Sequence, residues 1–307
     1  MNIVFLGGSD WANTSNRICR AINAYGGEHI ARCVTKHRHP FGYEEDLVID
    51  RDGDEGVAAI VSTADWIIGV GDADYDLMLE MVSKYGGFPG RGTRYGIRHS
   101  GTAIRSNPND CYIQDMQFAR VFVPMDIYQS YAHESRYRPF VQPQMTIRDK
   151  PNMPGVADPL LVTHTPSERG TKGTHEVMQA ANNLDCSLAY LTMYENLPYD
   201  VCRQMRARHH VYIDGVESRY GNFGAAACEA MADGLVVLGD THKATSNEYI
   251  EAPPIIQVTD RESIVSAVHR LARDRFALKK WQEAGLKWAR QWTSINATYR
   301  YWDTCLA

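Results

Sequence analysis

Apolar residues recur along this chain in two alternating periods. Short runs such as NIVFLG (2–7), HIARCVT (29–35) and DWIIGVG (65–71) have the length and β-branched content of strands. Between the first two, Ile18, Ala21, Ile22 and Tyr25 fall at helical spacing and stop at Gly26-Gly27. After the helical stretch YDLMLEMVSKY, the segments RYGIRHSG (94–101) and ARVFVP (119–124) predict further strands. Strand followed by helix followed by strand implies a mainly parallel sheet with helices on its faces.

The stretch RDKPNMPGVADP (148–159) is rich in Pro and Gly, has no periodicity, and reads as an interdomain linker. The alternation then restarts. Strands are predicted at LLVTH (160–164), SLAYLTM (187–193), HVYID (210–214), LVVLG (235–239) and IIQVT (255–259). Helices are predicted at 174–184, 198–208, after Phe223, and at 260–273. A helical tail with Trp281, Trp288, Trp292 and Trp302 is too aromatic to stay in water and is expected to pack back on the first domain. The expectation is an α/β protein of two Rossmann-like, doubly wound domains, 1–150 and 157–287, with about 288–307 crossing back. The two would face a cleft at the C-terminal ends of their strands, where small charged ligands bind.

Composition narrows the function classes. The chain has 307 residues, enough for two domains, and a net charge of −5, which argues against a generally basic nucleic-acid binder. Its seven cysteines are odd in number and form no C-x-x-C pair, so they read as reduced thiols in a cytoplasmic protein. The opening run is a short strand rather than a signal peptide, and no apolar run has the length of a membrane span, so no membrane insertion is expected. The oligomeric state is not legible.

Two stretches carry candidate chemistry. HTPSERGTKGTHE (164–176) leaves a strand and enters a helix, with Arg169 and Lys172 in a Gly-flanked loop. Two cations beside a helix N-terminus suit a diphosphate, although a solvated loop with two basic residues fits equally well. YGNFGAAACEAMADGLVVLGD (220–240) passes from glycines into small residues around one acid, Glu229. Gly221 and Gly224 allow close backbone approach, and Glu229 is placed to accept both hydroxyls of a ribose or to be a buried acid satisfied by neighbouring backbone or a base. No nucleotide-triphosphate P-loop occurs.

Together these stretches resemble the donor half of a GT-B glycosyltransferase of family 4: His-x-Pro, then Arg and Lys, and about fifty residues later G-x-[FY]-G, four residues, Glu-Ala. In the first half, IRHSGTAIR (97–105) and SDWANTSNRICRAIN also resemble that family. The resemblance implies transfer of a sugar from a nucleoside-diphosphate sugar, most simply a UDP-sugar, to a hydroxyl acceptor with retention. By position it implies that Arg169 and Lys172 hold the diphosphate and stabilise the leaving nucleotide, and that Glu229 binds the ribose. Gly221, Phe223, Gly224 and Ala225 would lie along the diphosphate and sugar, and the loop after Met193 would hold the base. His99 would reach the sugar, and Gly7, Gly8 and Asp10 would lie near the reacting carbon. One departure is clear: many members carry a Glu eight residues before the ribose-binding one, and here that position is Gly221.

Neither a metal nor another cofactor is expected, because fixed cations and helix N-termini can meet the leaving charge. GDADYD (71–76) holds an Asp-x-Asp, read either as turn and cap acids or as acceptor-side carboxylates, Asp72 and Asp74. The segment 84–105 has five Lys/Arg, no acid and interleaved aromatics, and 29–39 is likewise acid-free and basic. Arg91, Arg94 and Arg105 are therefore candidate acceptor residues. One acceptor is a hydroxymethylated pyrimidine in DNA, flipped from its duplex. A glycan or lipid acceptor, a sugar-nucleotide epimerase, or a non-catalytic nucleotide-binding protein of the same fold are the alternatives.

Overall fold

The structure is a computed structural model that describes residues 1–71, 75–86, 92–155, 158–216 and 221–307. The chain divides into two units, Met1–Met145 with Ile295–Ala307, and Thr146–Ser294. In chain order the first unit contains β1 (Asn2–Gly7), α1 (Thr14–Tyr25), β2 (Ile30–Thr35), β3 (Leu47–Val48), α2 (Ile49–Asp52), α3 (Val57–Ser62) and β4 (Trp66–Val70). It continues through α4 (Tyr75–Gly86), β5 (Arg94–Arg98), α5 (Thr102–Ser106), α6 (Pro108–Asp115), β6 (Arg120–Val123), α7 (Met125–Tyr131) and β7 (Tyr137–Pro139). The second unit contains β8 (Leu160–His164), α8 (Thr174–Asn182), β9 (Ala189–Met193), α9 (Tyr199–Arg206), β10 (Val211–Ile213) and α10 (Ala225–Ala232). It closes with β11 (Val236–Gly239), β12 (Ile256–Gln257), α11 (Arg261–Arg273) and α12 (Arg275–Trp292); α13 (Ile295–Leu306) belongs to the first unit.

The first unit is a seven-stranded parallel sheet in the order β3-β2-β1-β4-β5-β6-β7. The chain winds outward from β1 to β3, then crosses to β4, so the strand order reverses between β1 and β4. Ile3, Val4, Phe5 and Leu6 are all buried, as expected for a central strand covered on both faces. A Cβ at Gly7 would stand 2.5 Å from the Val70 carbonyl oxygen, so only glycine fits at that reversal. α13 is held by its aromatic face and by its end. Trp302 packs on Phe5 and Phe122 with ring centroids 5.2 and 4.3 Å away. The Trp66 indole donates to the Leu306 carbonyl (3.2 Å), Arg120 to that of Cys305 (2.8 Å) and Arg94 to that of Ala307 (3.0 Å), which satisfies carbonyls a helix leaves open at its C-terminus.

The second unit is a five-stranded parallel sheet in the order β12-β11-β10-β8-β9, and its order reverses between β8 and β10. Two boundaries differ from those the sequence suggests. The Pro/Gly stretch does not run free at its start, because Arg148 N–H donates to the Ala232 carbonyl (2.8 Å) and Asn152 N–H to that of Gly234 (3.3 Å). Main-chain bonds, invisible to a periodicity reading, tie it to the second unit from Thr146 onward. The tail returns later than expected: α12 stays with the second unit, where the Trp288 indole donates to the Glu251 carbonyl (2.8 Å) and its ring meets Phe223 edge-on.

Candidate functional site

The reversal in the second sheet brings together the C-terminal ends of β8 and β10, the first ending in His164 and the second followed by Asp214, both held by the neighbouring loops. His164, the last residue of β8, is fully buried, and burial lowers its imidazole to about 4, so it is neutral. The Ile213 carbonyl, 2.9 Å from Nδ1, can only accept, so Nδ1 carries the proton. Nε2 then accepts from the Thr174 hydroxyl at 2.9 Å. One neutral ring thus joins the end of β8, the end of β10 and the first residue of α8, and fixes both ends of the loop that carries Arg169 and Lys172.

Lys172 reaches Asp214, the residue after β10, with Nζ 2.6 Å from Oδ1. Asp214 is buried, which alone would raise its carboxyl. The Lys172 ammonium, with hydrogen bonds from the Gly224 N–H (2.7 Å) and the Tyr212 hydroxyl (3.2 Å), holds it below the usual range instead. A Cβ at Gly224 would stand 2.9 Å from Lys172 Nζ and 3.5 Å from both Asp214 oxygens. Lys172, Asp214 and the N-terminus of α10, with Ala225 as its first residue, therefore share one small volume at the switch point of the sheet. Asp214 is the member a sequence reading misses, since a single acid after a strand has no spacing signature.

The other expected donor-side residues have distinct surroundings. Arg169 is largely exposed and makes a bidentate pair with Glu195 in the loop after β9 (Nε to Oε1, 2.8 Å). Glu229 is 3% exposed, and the base that satisfies it is Arg206 of α9; the Tyr199 hydroxyl donates to its Oε1 at 2.9 Å. Burial alone would lower the Arg206 guanidinium, but Glu229 beside it keeps it charged. Gly221 has φ +59, the left-handed region, and precedes α10 by one short turn.

On the first unit, Gly7 ends β1 and Gly8 follows it, and their carbonyls accept from the Lys36 and His37 N–H groups. Asp10, expected near the reacting carbon, is 1% exposed and serves the fold: it accepts from the N–H groups of Ser15 (3.0 Å) and Asn16 (2.9 Å) and from Arg98 (2.9 Å). The carboxylate is consumed in holding the N-terminus of α1 and a buried arginine. His99 follows β5 and is equally buried, with Nε2 2.8 Å from Asp115, whose other oxygen accepts from Tyr137. Arg94, expected at the acceptor, stands at the opposite, N-terminal end of β5, where it binds the end of α13. Arg105 pairs bidentately with Asp126 at 2.8 Å. Asp72, Asp74 and Arg91 lie outside the described residues. Trp11, which the sequence reading passed over, is 58% exposed just beyond Asp10 and contacts His39 edge-on. The two residues after it, Ala12 and Asn13, both have positive φ, of 57 and 55. Consecutive left-handed non-glycine residues of this kind cluster at ligand sites.

The basic segments are acid-free in sequence but not in space. Arg32 pairs with Asp46, His37 with Asp50, Lys84 with Asp54, Arg98 with Asp10 and Arg105 with Asp126. Among the described residues there is no cluster of three metal-ligating side chains and no helix long and apolar enough to cross a membrane.

No protein-family model and no characterised sequence matches the chain. Solved structures do resemble it over its whole length. Anabaena HepE in complex with UDP and glucose is 12% identical, with 100% of this chain and 99% of the other aligned and a TM-score of 0.66. An α-glucosyltransferase in complex with UDP and a 13-mer DNA containing a HMU base is 9% identical, covering 99% and 98% with a TM-score of 0.66. The lipopolysaccharide outer core galactosyltransferase WaaB is 11% identical, covering 100% and 99% with a TM-score of 0.63. The architecture is the two-unit α/β fold of GT-B glycosyltransferases.

Proposed function

We propose that this chain is a glycosyltransferase that takes a sugar from a UDP-sugar and passes it to a hydroxyl acceptor. The observation that carries the reading is the convergence of Lys172, Asp214 and the N-terminus of α10 at the switch point of the second sheet. It is where this fold binds an anion, and solved structures of the same fold contain UDP. In the proposed reaction the bond between the sugar's anomeric carbon and the β-phosphate oxygen breaks as the acceptor oxygen bonds to that carbon. The acceptor proton leaves with the nucleoside diphosphate or to water. Lys172, Arg169 and the free N–H groups of α10 stabilise charge growing on the leaving phosphate, without a divalent ion. The motifs at 164–176 and 221–229 support family 4 and, with it, retention; the anomeric proton of the product reports the stereochemistry directly.

For the acceptor, the exposed Trp11 beside the end of β1 favours a ring, whether a sugar or a base. Pairing of the basic residues with acids leaves the described part of 84–105 with little charge to spend on phosphates, which favours a glycan over duplex DNA. The test uses UDP binding by calorimetry, then UDP-glucose turnover with a panel of glycans and hydroxymethylated DNA. Absence of UDP binding at millimolar concentration overturns the proposal. Transfer to DNA, with binding that weakens steeply as salt rises, would select the nucleic-acid acceptor instead.

A further inference from the structure

The strand order gives the second unit a direction. Along β12-β11-β10-β8-β9, the Arg169–Glu195 pair lies at the β8 and β9 end, and Lys172 with Asp214 lies at the β8/β10 reversal. A nucleotide whose base takes the β9 side and whose diphosphate takes the reversal would extend its sugar toward the loop after β11. That loop is tied to the other two: Asp240 N–H donates to the Gly215 carbonyl (2.7 Å) and Lys243 N–H to that of Gly221 (2.9 Å). It carries a histidine, His242, whose Nδ1 is 2.6 Å from Asp240 Oδ1. The ring is 57% exposed while Asp240 is buried behind it. A Cβ at Gly221 would meet three atoms of this ring at 2.6–3.0 Å, so the imidazole fills the space a side chain at 221 would enter.

We propose that His242, oriented by Asp240, is the residue that reads the hydroxyls of the transferred sugar; this rests on the UDP-sugar reading above. Carboxylate acceptance fixes the proton on Nδ1, which leaves Nε2 as the acceptor in the neutral ring, and a hydroxyl is the donor a sugar offers. A site that hydrogen-bonds a substrate hydroxyl discriminates against sugars that place it elsewhere. The test compares the parent with His242→Ala and His242→Gln for UDP, UDP-glucose, UDP-galactose and UDP-N-acetylglucosamine by calorimetry. The expected result is a UDP Kd within twofold of the parent in both variants. The parent's preference among the three sugars should shrink at least tenfold in His242→Ala, with part of it kept in His242→Gln, whose amide oxygen can still accept. A variant that keeps the parent's preference overturns the assignment, as does a parent that binds UDP but does not distinguish the sugars. Equal loss of UDP and UDP-sugar binding would assign His242 to the diphosphate instead. If the parent does not bind UDP at all, the failure lies with the underlying reading.

Discussion

Replacing Lys172 by Met keeps most of the side-chain stem and removes the ammonium. Two effects follow, and they can be separated. Asp214, 1% exposed at its side chain, loses its ion pair and keeps only the Gly224 N–H and Tyr212 hydroxyl. Breaking a buried pair by removing one partner costs about 3–5 kcal/mol. The Lys172 side chain is 21% exposed and two donors to Asp214 remain, so the loss should fall at the low end, about 3 kcal/mol. The second effect is on the ligand. One lost hydrogen bond to a charged group costs about 1.5–3 kcal/mol, which weakens UDP about 10- to 150-fold. Lys172→Met with Asp214→Asn should recover most of the stability, since neither charge is then buried alone, but none of the UDP affinity. Urea unfolding followed by circular dichroism reads the first effect and calorimetry the second. An unchanged urea midpoint in Lys172→Met would refute the ion-pair reasoning. UDP affinity restored in the double variant would refute the assignment of Lys172 to the diphosphate.

Other consequences are as direct. The native His164 stays neutral down to about pH 4 whereas its unfolded counterpart takes a proton near 6.5, so stability should fall as pH drops through that window, by about 3 kcal/mol at most. His210 titrates over the same range and is present in both proteins, so the difference in slope between the parent and His164→Gln isolates the term. Glu229→Gln strands the buried Arg206 and should cost about 3–5 kcal/mol; if Glu229 also binds ribose, the preference for UDP over its 2′-deoxy analogue disappears with it. Glu195→Gln frees the exposed Arg169 and should tighten UDP only about two- to fivefold at low salt, the worth of a surface pair. Trp302→Ala empties the space between Phe5 and Phe122 and should cost about 3–5 kcal/mol in thermal or urea unfolding, with UDP affinity unchanged.

The elements that proved legible are those with strong local signals. β1, β4, β8 and β11 are apolar runs between turns, and α1 announces its end at Gly26, whose φ is 73. The parallel order follows from alternation alone. What escaped is whatever depends on a partner far away in sequence. Arg94 reads as a surface cation among glycines, yet it binds the end of α13 more than two hundred residues on. The family resemblance places Asp10 near the reacting carbon, yet its carboxylate is held by Arg98, 88 residues on, as well as by the nearby Ser15 and Asn16 N–H groups. The basic character of 29–39 and 84–105 was real in sequence and is partly offset in space, where Arg32, His37 and Lys84 meet Asp46, Asp50 and Asp54. A charge run identifies a surface only after its partners are known, and those partners have no fixed spacing.

The proposed donor site carries a consequence of such pairing. Its two expected phosphate cations are each held by an acid, Lys172 by Asp214 and Arg169 by Glu195, so the ligand-free site is close to neutral. On the proposed function, an arriving diphosphate would not simply add to two waiting charges; it would have to share them or displace the acids. The two acids differ in how easily that happens. Glu195 is partly exposed and can turn into water at little cost, which releases Arg169. Asp214 is buried and fixed by the Gly224 N–H and the Tyr212 hydroxyl, so it would stay, and Lys172 would bridge it to the phosphate. Lys172 would then be the permanent element of the proposed site and Arg169 the adjustable one. An ammonium suits the bridging role, since its three donors can face the carboxylate and the phosphate at once, whereas a guanidinium paired bidentately has committed two of its donors in one plane.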